Sequence, residues 1–314
     1  MTPPPFLAIV GPTGVGKSEV ALAIARKTPC EIVVVDSMQV YRGMDMGTGK
    51  PDSAARESAP HHGIDLVDPE QEFDVAQYVQ AVRPLLGEIE RRGRLPLLVG
   101  GSGLYLRALL DGLCEAPGKD AVLRYQLLEQ GSREGTAPLY AKLRDFDPTA
   151  AVKIHPNDLR RIVRALEVFW VTGRPLSQWQ GETQKPFEER QAVLIGLTCD
   201  RQVLYQRIER RIDGWLLSGW LEEARNLHRR NLSRTARLAL GYLELFAFLE
   251  GEANWETTVR LIKQNTRHYA KRQWAWFKQD RRIEWVSLDE QASENLAGML
   301  AARFRNRIAH TAVR

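Results

Sequence analysis

The chain has 314 residues, 44% of them hydrophobic, and a formal net charge of +5, which is enough apolar material for one large domain or two smaller ones. No apolar run approaches the roughly 18 residues of a membrane helix, so no membrane association is expected. Cys30, Cys114 and Cys199 lie far apart and match neither a disulfide framework nor a metal or redox spacing, which excludes a disulfide-built secreted scaffold.

Met1-Thr-Pro-Pro-Pro5 has no basic or apolar leader pattern, so a cytoplasmic protein with reduced thiols is expected. Phe6–Val10 is five apolar residues long and reads as a buried strand. The eight residues that follow, Gly11, Pro12, Thr13, Gly14, Val15, Gly16, Lys17 and Ser18, fit G-x-x-x-x-G-K-[ST], and a helical pattern begins at Glu19. A phosphate loop between strand and helix is therefore predicted. Its glycines let backbone N–H groups form an anion nest, and the helix N-terminus adds positive potential. Lys17 would face the terminal phosphates, and Ser18 is the candidate Mg²⁺ ligand. The loop implies a di- or triphosphate ligand, such as ATP or another nucleotide, without specifying phosphoryl transfer.

Glu31–Val35 reads as a second strand, delivering Asp36 to the rim where the loop lies. That carboxylate suits a Mg²⁺ ligand, a general base or a helix cap. The long polar, glycine-rich segment from Asp36 to Pro51 suggests a functional loop. His61-His62 could ligate a metal but lacks a third ligand at a recognised spacing. Asp74 is the expected cap of a helix through Val75, Val79, Val82, Leu86 and Ile89, ended by Gly93. Leu95–Val99 is a third strand, and Gly100-Gly-Ser102 brings a hydroxyl to the same rim.

From Glu115 to Gln191 helical signals replace strand signals. The clearest helix is capped by Asn157 or Asp158. Leu159, Ile162, Val163, Leu166, Phe169 and Trp170 form its apolar face, with Arg160, Arg161 and Arg164 on the other. Ala192–Leu197 resumes a core strand, and the remainder reads as helical. The predicted fold is thus α/β, a P-loop doubly wound parallel-sheet core over 1–114, an inserted small helical domain over 115–191, and core continuation with a basic helical C-terminal region over 192–314.

The charge is unevenly spread. Residues 1–200 carry 23 Lys and Arg against 26 Asp and Glu, whereas residues 201–314 carry 21 against 13. A polyanionic partner for the C-terminal third is implied. Arg229, Arg230, Arg234 and Arg237 crowd an expected loop before Gly241-Tyr242. Between Arg260 and Arg282 basic residues interleave with Tyr269, Trp274, Trp276 and Phe277. Arg260, Lys263, Arg267 and Lys271 fall on one helical face, a pattern that suits RNA phosphates and bases or a solvated surface.

Taken together and in order, these segments resemble the bacterial tRNA dimethylallyltransferases, also called tRNA isopentenyltransferases. The resemblance rests on Gly11–Ser18, on Asp36-Ser-x-Gln39-x-Tyr41 through Met44-Asp-x-Gly-Thr-x-Lys-Pro51, and on Gly100-Gly-Ser-x-x-Tyr105. Asn157-Asp-x-x-Arg161-x-x-Arg164-Ala-Leu-Glu167, Gly241-Tyr242 and Lys263–Gln273 complete it. It implies a monomer that transfers the five-carbon group of dimethylallyl diphosphate to N6 of the adenine next to the anticodon of tRNA, with Mg²⁺. By position Asp36 resembles the base, Ser102 its hydroxyl partner, and Arg211 an arginine on the diphosphate; Lys17 serves the leaving group. Asp36, Ser37, Met38, Gln39, Arg160, Arg161, Arg164, Gly241 and Tyr242 match tRNA-contacting stretches, with Arg237 near the last two, and the helical insertion matches a mobile tRNA-embracing domain; Arg267 and Lys271, on the basic helical face, are the further candidate tRNA contacts. Ser102 stands where threonine is commoner, and Leu243 where a lysine or arginine is usual. The zinc-finger extension of eukaryotic relatives is absent from this sequence. A P-loop small-molecule or nucleotide kinase is the competing expectation, though the large basic, aromatic C-terminal third exceeds what a small substrate needs. A nucleic-acid-dependent ATPase motor fits less, because no carboxylate ends the third strand.

Overall fold

The computed structural model describes residues 6–114, 116, 120–182, 192–288 and 294–302. The expected lack of a leader in residues 1–5 lies outside the described residues, as do the expected domain boundaries next to residues 115 and 191. Six strands, β1 (Phe6–Val10), β2 (Cys30–Val35), β3 (His61–His62), β4 (Leu95–Gly100), β5 (Ala192–Thr198) and β6 (Ile283–Ser287), form one sheet. Its order is β3-β2-β4-β1-β5-β6 and every pairing is parallel. Parallel sheets bury both faces, so their inner strands read as near-continuous apolar runs rather than alternating ones, Glu31 of β2 being the charged exception. β1 and β2 are buried throughout.

The chain divides into two compact units, Met1–Leu110 with Phe187–Arg314, and Asp111–Pro186. The first holds the sheet and the helices α1 (Lys17–Ala25), α2 (Ser53–Ser58), α3 (Val75–Arg91) and most of α4 (Gly103–Asp111). The second is helical, with α5 (Ala121–Glu134), α6 (Ala137–Phe146), α7 (Pro148–Lys153), α8 (Leu159–Thr172) and α9 (Leu176–Gly181). The first unit then resumes with α10 (Arg201–Leu217), α11 (Trp220–His228), α12 (Arg234–Arg237), α13 (Tyr242–Leu249) and α14 (Trp255–Phe277). This is a mixed α/β fold around a P-loop-like core.

Local chemistry sets the boundaries. Asp74 accepts from the Ala76 and Gln77 amides, and Gln77 returns a bond to the Asp74 amide, a capping box that starts α3. Such a cap is worth about 1 kcal/mol. Gly93, at φ 69°, follows the helix. Asp158, rather than Asn157, caps α8 by accepting from the Arg161 amide. In the second unit Leu127, Leu139, Leu143, Ile162, Val163 and Leu166 make a separate core. Trp170, expected on the apolar face of α8, is 38% exposed.

Two strands are absent from the sequence reading. His61-His62 is β3, paired with Ile32 and Val33 of β2. The His62 imidazole lies 2.6 Å from Glu31, itself gripped by Arg92. No cluster able to hold a metal occurs among the described residues. The stretch expected to be wholly helical contains β6, the edge strand beside β5. An edge position tolerates the exposed Glu284, so β6 lacks the apolar run of the inner strands. The expected arginine-rich loop also contains the short helix α12, started by the Ser233 hydroxyl on the Ala236 amide.

Candidate active site

Register brings the site together. Val10 of β1 and Val35 of β2 both stand level with Gly100 of β4. The next residues, Gly11, Asp36 and Gly101, therefore leave the sheet at one rim. Gly11, at φ 143°, runs so close to β5 that a Cβ there would meet the Leu197 carbonyl oxygen at 2.5 Å. A cavity of about 940 Å³ opens over the rim, entirely within the first unit.

The phosphate loop has the expected form. Gly14 and Gly16 adopt φ 82° and 105°, and α1 begins at Lys17. Lys17 Nζ donates to the carbonyls of Gly11, 3.0 Å, and Pro12, 2.8 Å. Burial, followed by the charge of Arg211, pulls its pKa down from 10.5 to about 7, and nearby Asp36 opposes the shift. A diphosphate here would give the cationic form of the amine a counter-charge beyond that of Asp36. Arg211 of α10 reaches over from the other side, with Nη2 2.6 Å from Thr13 Oγ1 and the guanidinium 4.5 Å above the Trp215 ring. Burial lowers its pKa to about 10, which leaves it cationic at neutral pH. The exposed Ser18 and the carboxylate of Asp36 line the same cavity. Oxygen donors of this kind fit Mg²⁺, a hard cation that keeps several waters and binds jointly with substrate phosphates.

Asp36 starts a turn, not a helix: Oδ1 accepts from the amides of Met38, 2.8 Å, and Gln39, 3.3 Å. Burial raises its pKa, against the pull of those two amides and of Lys17. Ser102 Oγ accepts from the Ser37 amide, 3.1 Å, so the β4 turn buttresses the peptide beside Asp36. Gln39 donates to the Thr48 carbonyl, 3.0 Å, closing the polar segment on itself. Several further residues support this site. Lys50, its side chain 1% exposed, binds the Tyr41 carbonyl and the carboxylates of Asp45 and Asp65. Tyr269 of α14 lines the cavity. Gln273 joins the Thr13 amide to the Gly101 carbonyl. The available signal was polar residues at the buried helical positions of α14, Thr258, Thr266 and Gln273 beside Ile262 and Ala270.

The expected RNA-contacting residues divide. Ser37, Met38 and Gln39 line the cavity with Asp36. In the second unit Arg160 is exposed, Arg161 pairs with Asp158, and Arg164 is tied with Arg124 to the fully buried Glu167. Arg237 is bound to Glu250. Tyr242 takes a different part from the one expected. It is fully buried, so it presents nothing to a macromolecule. Its hydroxyl donates to Glu223 and accepts from the Gly47 amide, holding the polar segment in place. Gly241 is buried at φ 85°, where a Cβ would strike Trp220. Leu243 is 45% exposed. Along α14 Lys263 pairs with Asp213 and Arg267 with Glu209, both on α10. Lys271 and Arg272 are exposed, with no acidic partner among the described residues, and Arg272 lines the cavity.

The chain matches the family model described as IPP transferase over residues 39–280, and the one described as isopentenyl transferase over residues 5–61. It is 47% identical to a tRNA dimethylallyltransferase of Symbiobacterium thermophilum, over 93% of this chain and 92% of that one. Its identity to the tRNA dimethylallyltransferase of Geobacter metallireducens is 46%, over 90% and 92% of the two chains. The crystal structure of a full-length tRNA isopentenylpyrophosphate transferase from Bacillus halodurans superposes with a TM-score of 0.71 at 36% identity, covering 98% of this chain and 99% of that one. A eukaryotic dimethylallyltransferase, solved in snapshots of its action on tRNA, reaches a TM-score of 0.81 at 28% identity, covering 98% and 80%.

Proposed function

The chain belongs to the IPP transferase family, among the tRNA dimethylallyltransferases, and from that premise we propose its reaction in detail. It prenylates tRNA, taking the five-carbon group of dimethylallyl diphosphate to the exocyclic N6 of the adenine 3′-adjacent to the anticodon. It acts as a cytoplasmic monomer. The observation that carries this reading is the meeting of Lys17, Ser18, Asp36 and the Tyr269–Gln273 stretch of α14 around one cavity. A small-molecule kinase is not favoured beside relatives named for tRNA modification.

The diphosphate lies in the phosphate-loop nest, with Lys17 and Arg211 facing the charge that grows as it leaves. Mg²⁺, held by the Ser18 hydroxyl when bound, supplies further neutralisation of that charge. The target adenine is turned out of its stack to reach the rim. Its N6 forms a bond to the allylic carbon, the carbon–oxygen bond to the diphosphate breaks, and the N6 proton passes to Asp36. Burial makes the Asp36 carboxylate a better base than an ordinary aspartate, while the Met38 and Gln39 amides keep it oriented. Ser102 fixes the neighbouring Ser37 peptide. Incubating the protein with unmodified tRNA and labelled dimethylallyl diphosphate should place one five-carbon unit on that adenine, located by mass spectrometry of the digested RNA. Unmodified RNA, or transfer only from ATP to a small acceptor, would overturn the reading.

A further inference from the structure

Gln273 stands where α14 meets both strand-end turns of the site. It is 6% exposed. Its Oε1 accepts from the Thr13 amide, 2.8 Å, and its Nε2 donates to the Gly101 carbonyl, 3.0 Å. The two partners dictate the orientation of the amide, since an N–H needs the oxygen and a carbonyl needs the nitrogen. One turn earlier Tyr269 lines the same cavity. Thr13 is held from its other side by Arg211. A continuous polar path therefore runs from the β4 turn through α14 to the phosphate loop and α10. Gly101 is part of the design: a Cβ there would lie 2.2 Å from Gln273 Nε2.

The same helix turn carries the opposite commitment outward. Lys271, two residues before Gln273, is exposed and without an acidic partner among the described residues, while Arg272, also exposed, lines the cavity. Lys278 lies 4.6 Å above the ring of the half-exposed Trp274. Cations and an aromatic ring on one exposed stretch suit RNA phosphates and bases. An RNA seated there holds α14, and α14 holds the Thr13 peptide. We propose that Gln273 is a positioning residue through which RNA on the outer face of α14 tightens the diphosphate site, an inference that rests on the tRNA-prenylating reading above. By linkage the effect is reciprocal, so diphosphate tightens RNA binding by the same factor.

The test measures the affinity of inorganic pyrophosphate, in buffer containing Mg²⁺, with and without a saturating unmodified anticodon stem-loop RNA. Wild type should bind pyrophosphate about tenfold tighter with the RNA, within the usual range of coupling between sites. Gln273→Met should bring that factor close to one, with RNA affinity in the absence of pyrophosphate unchanged. Gly101→Ala, which pushes the amide from its other side, should do the same, and it serves if Gln273→Met folds poorly. A wild-type factor of one would overturn the proposal, as would a full factor in both variants, which would leave Gln273 a structural tie. Neither result would touch the prenylation reading, which is decided by labelled product on the RNA.

Discussion

Asp36 ties one carboxylate oxygen to two backbone amides and lines the cavity beside Lys17. Asp36→Asn keeps an oxygen able to accept from both amides, so the turn survives, but it removes the base. Turnover should fall by about 10² to 10⁴, with tRNA and diphosphate affinities changed far less. Steady-state kinetics and binding on this variant decide between roles: a parallel loss of donor affinity and of its Mg²⁺ dependence would indicate a metal ligand. Full activity with a lowered melting temperature would indicate a turn cap. Lys17 sets a pH dependence. Its folded pKa of about 7 lies below the unfolded 10.5, so between those values the unfolded chain binds the proton and the ligand-free fold does not. Stability of the ligand-free protein therefore rises with pH across that window. A bound diphosphate reverses the preference and draws the proton back. At about pH 8, calorimetry in buffers of different ionisation enthalpy should show wild type taking up most of one proton more than Lys17→Met on binding pyrophosphate. Equal uptake by the two proteins would refute this account of Lys17.

α14 separates its charges by neighbour. Arg267 and Lys263 are engaged by carboxylates of α10, whereas Lys271 and Arg272 are not. Periodicity alone groups Arg267 with Lys271, because it records which face a residue occupies and not what packs against that face. Reversing Lys271 and Arg272 to Glu should weaken tRNA binding and flatten its salt dependence by roughly two phosphate contacts, read from binding isotherms over a salt series. Arg267→Glu should instead act mainly on stability, by setting a second carboxylate against Glu209, and show as a lower melting temperature. A Lys271/Arg272 reversal with unchanged salt slope would make that end of α14 ordinary solvated surface. Strands show the same limit. β1, β2, β4 and β5 were legible because inner parallel strands carry near-continuous apolar runs, while the two-residue β3 and the edge strand β6 need no such run.

Across the whole molecule the rim was legible and its clamps were not. The phosphate loop, Asp36 and Ser102 each follow an apolar run, and parallel strands deliver their ends together. Thr13 receives Gln273 and Arg211 across 260 and 198 residues of chain, and no local pattern encodes such meetings. Distance along the chain has a further consequence during synthesis. β1 is made first, and it ends between β4 and β5 at the centre of the sheet. At about 5–20 residues per second, the stretch from Val10 to Ala192 takes on the order of ten seconds or more to emerge. For that interval one edge of β1 has no native partner, and a nascent chain with a bare apolar edge is a target for chaperones and for mispairing. Ribosome-bound chains halted just before β5 should be cut readily near β1 by a protease, and chains halted after β5 has emerged should resist. Equal resistance in both would mean that the growing chain shields this edge by other means before its permanent neighbour exists.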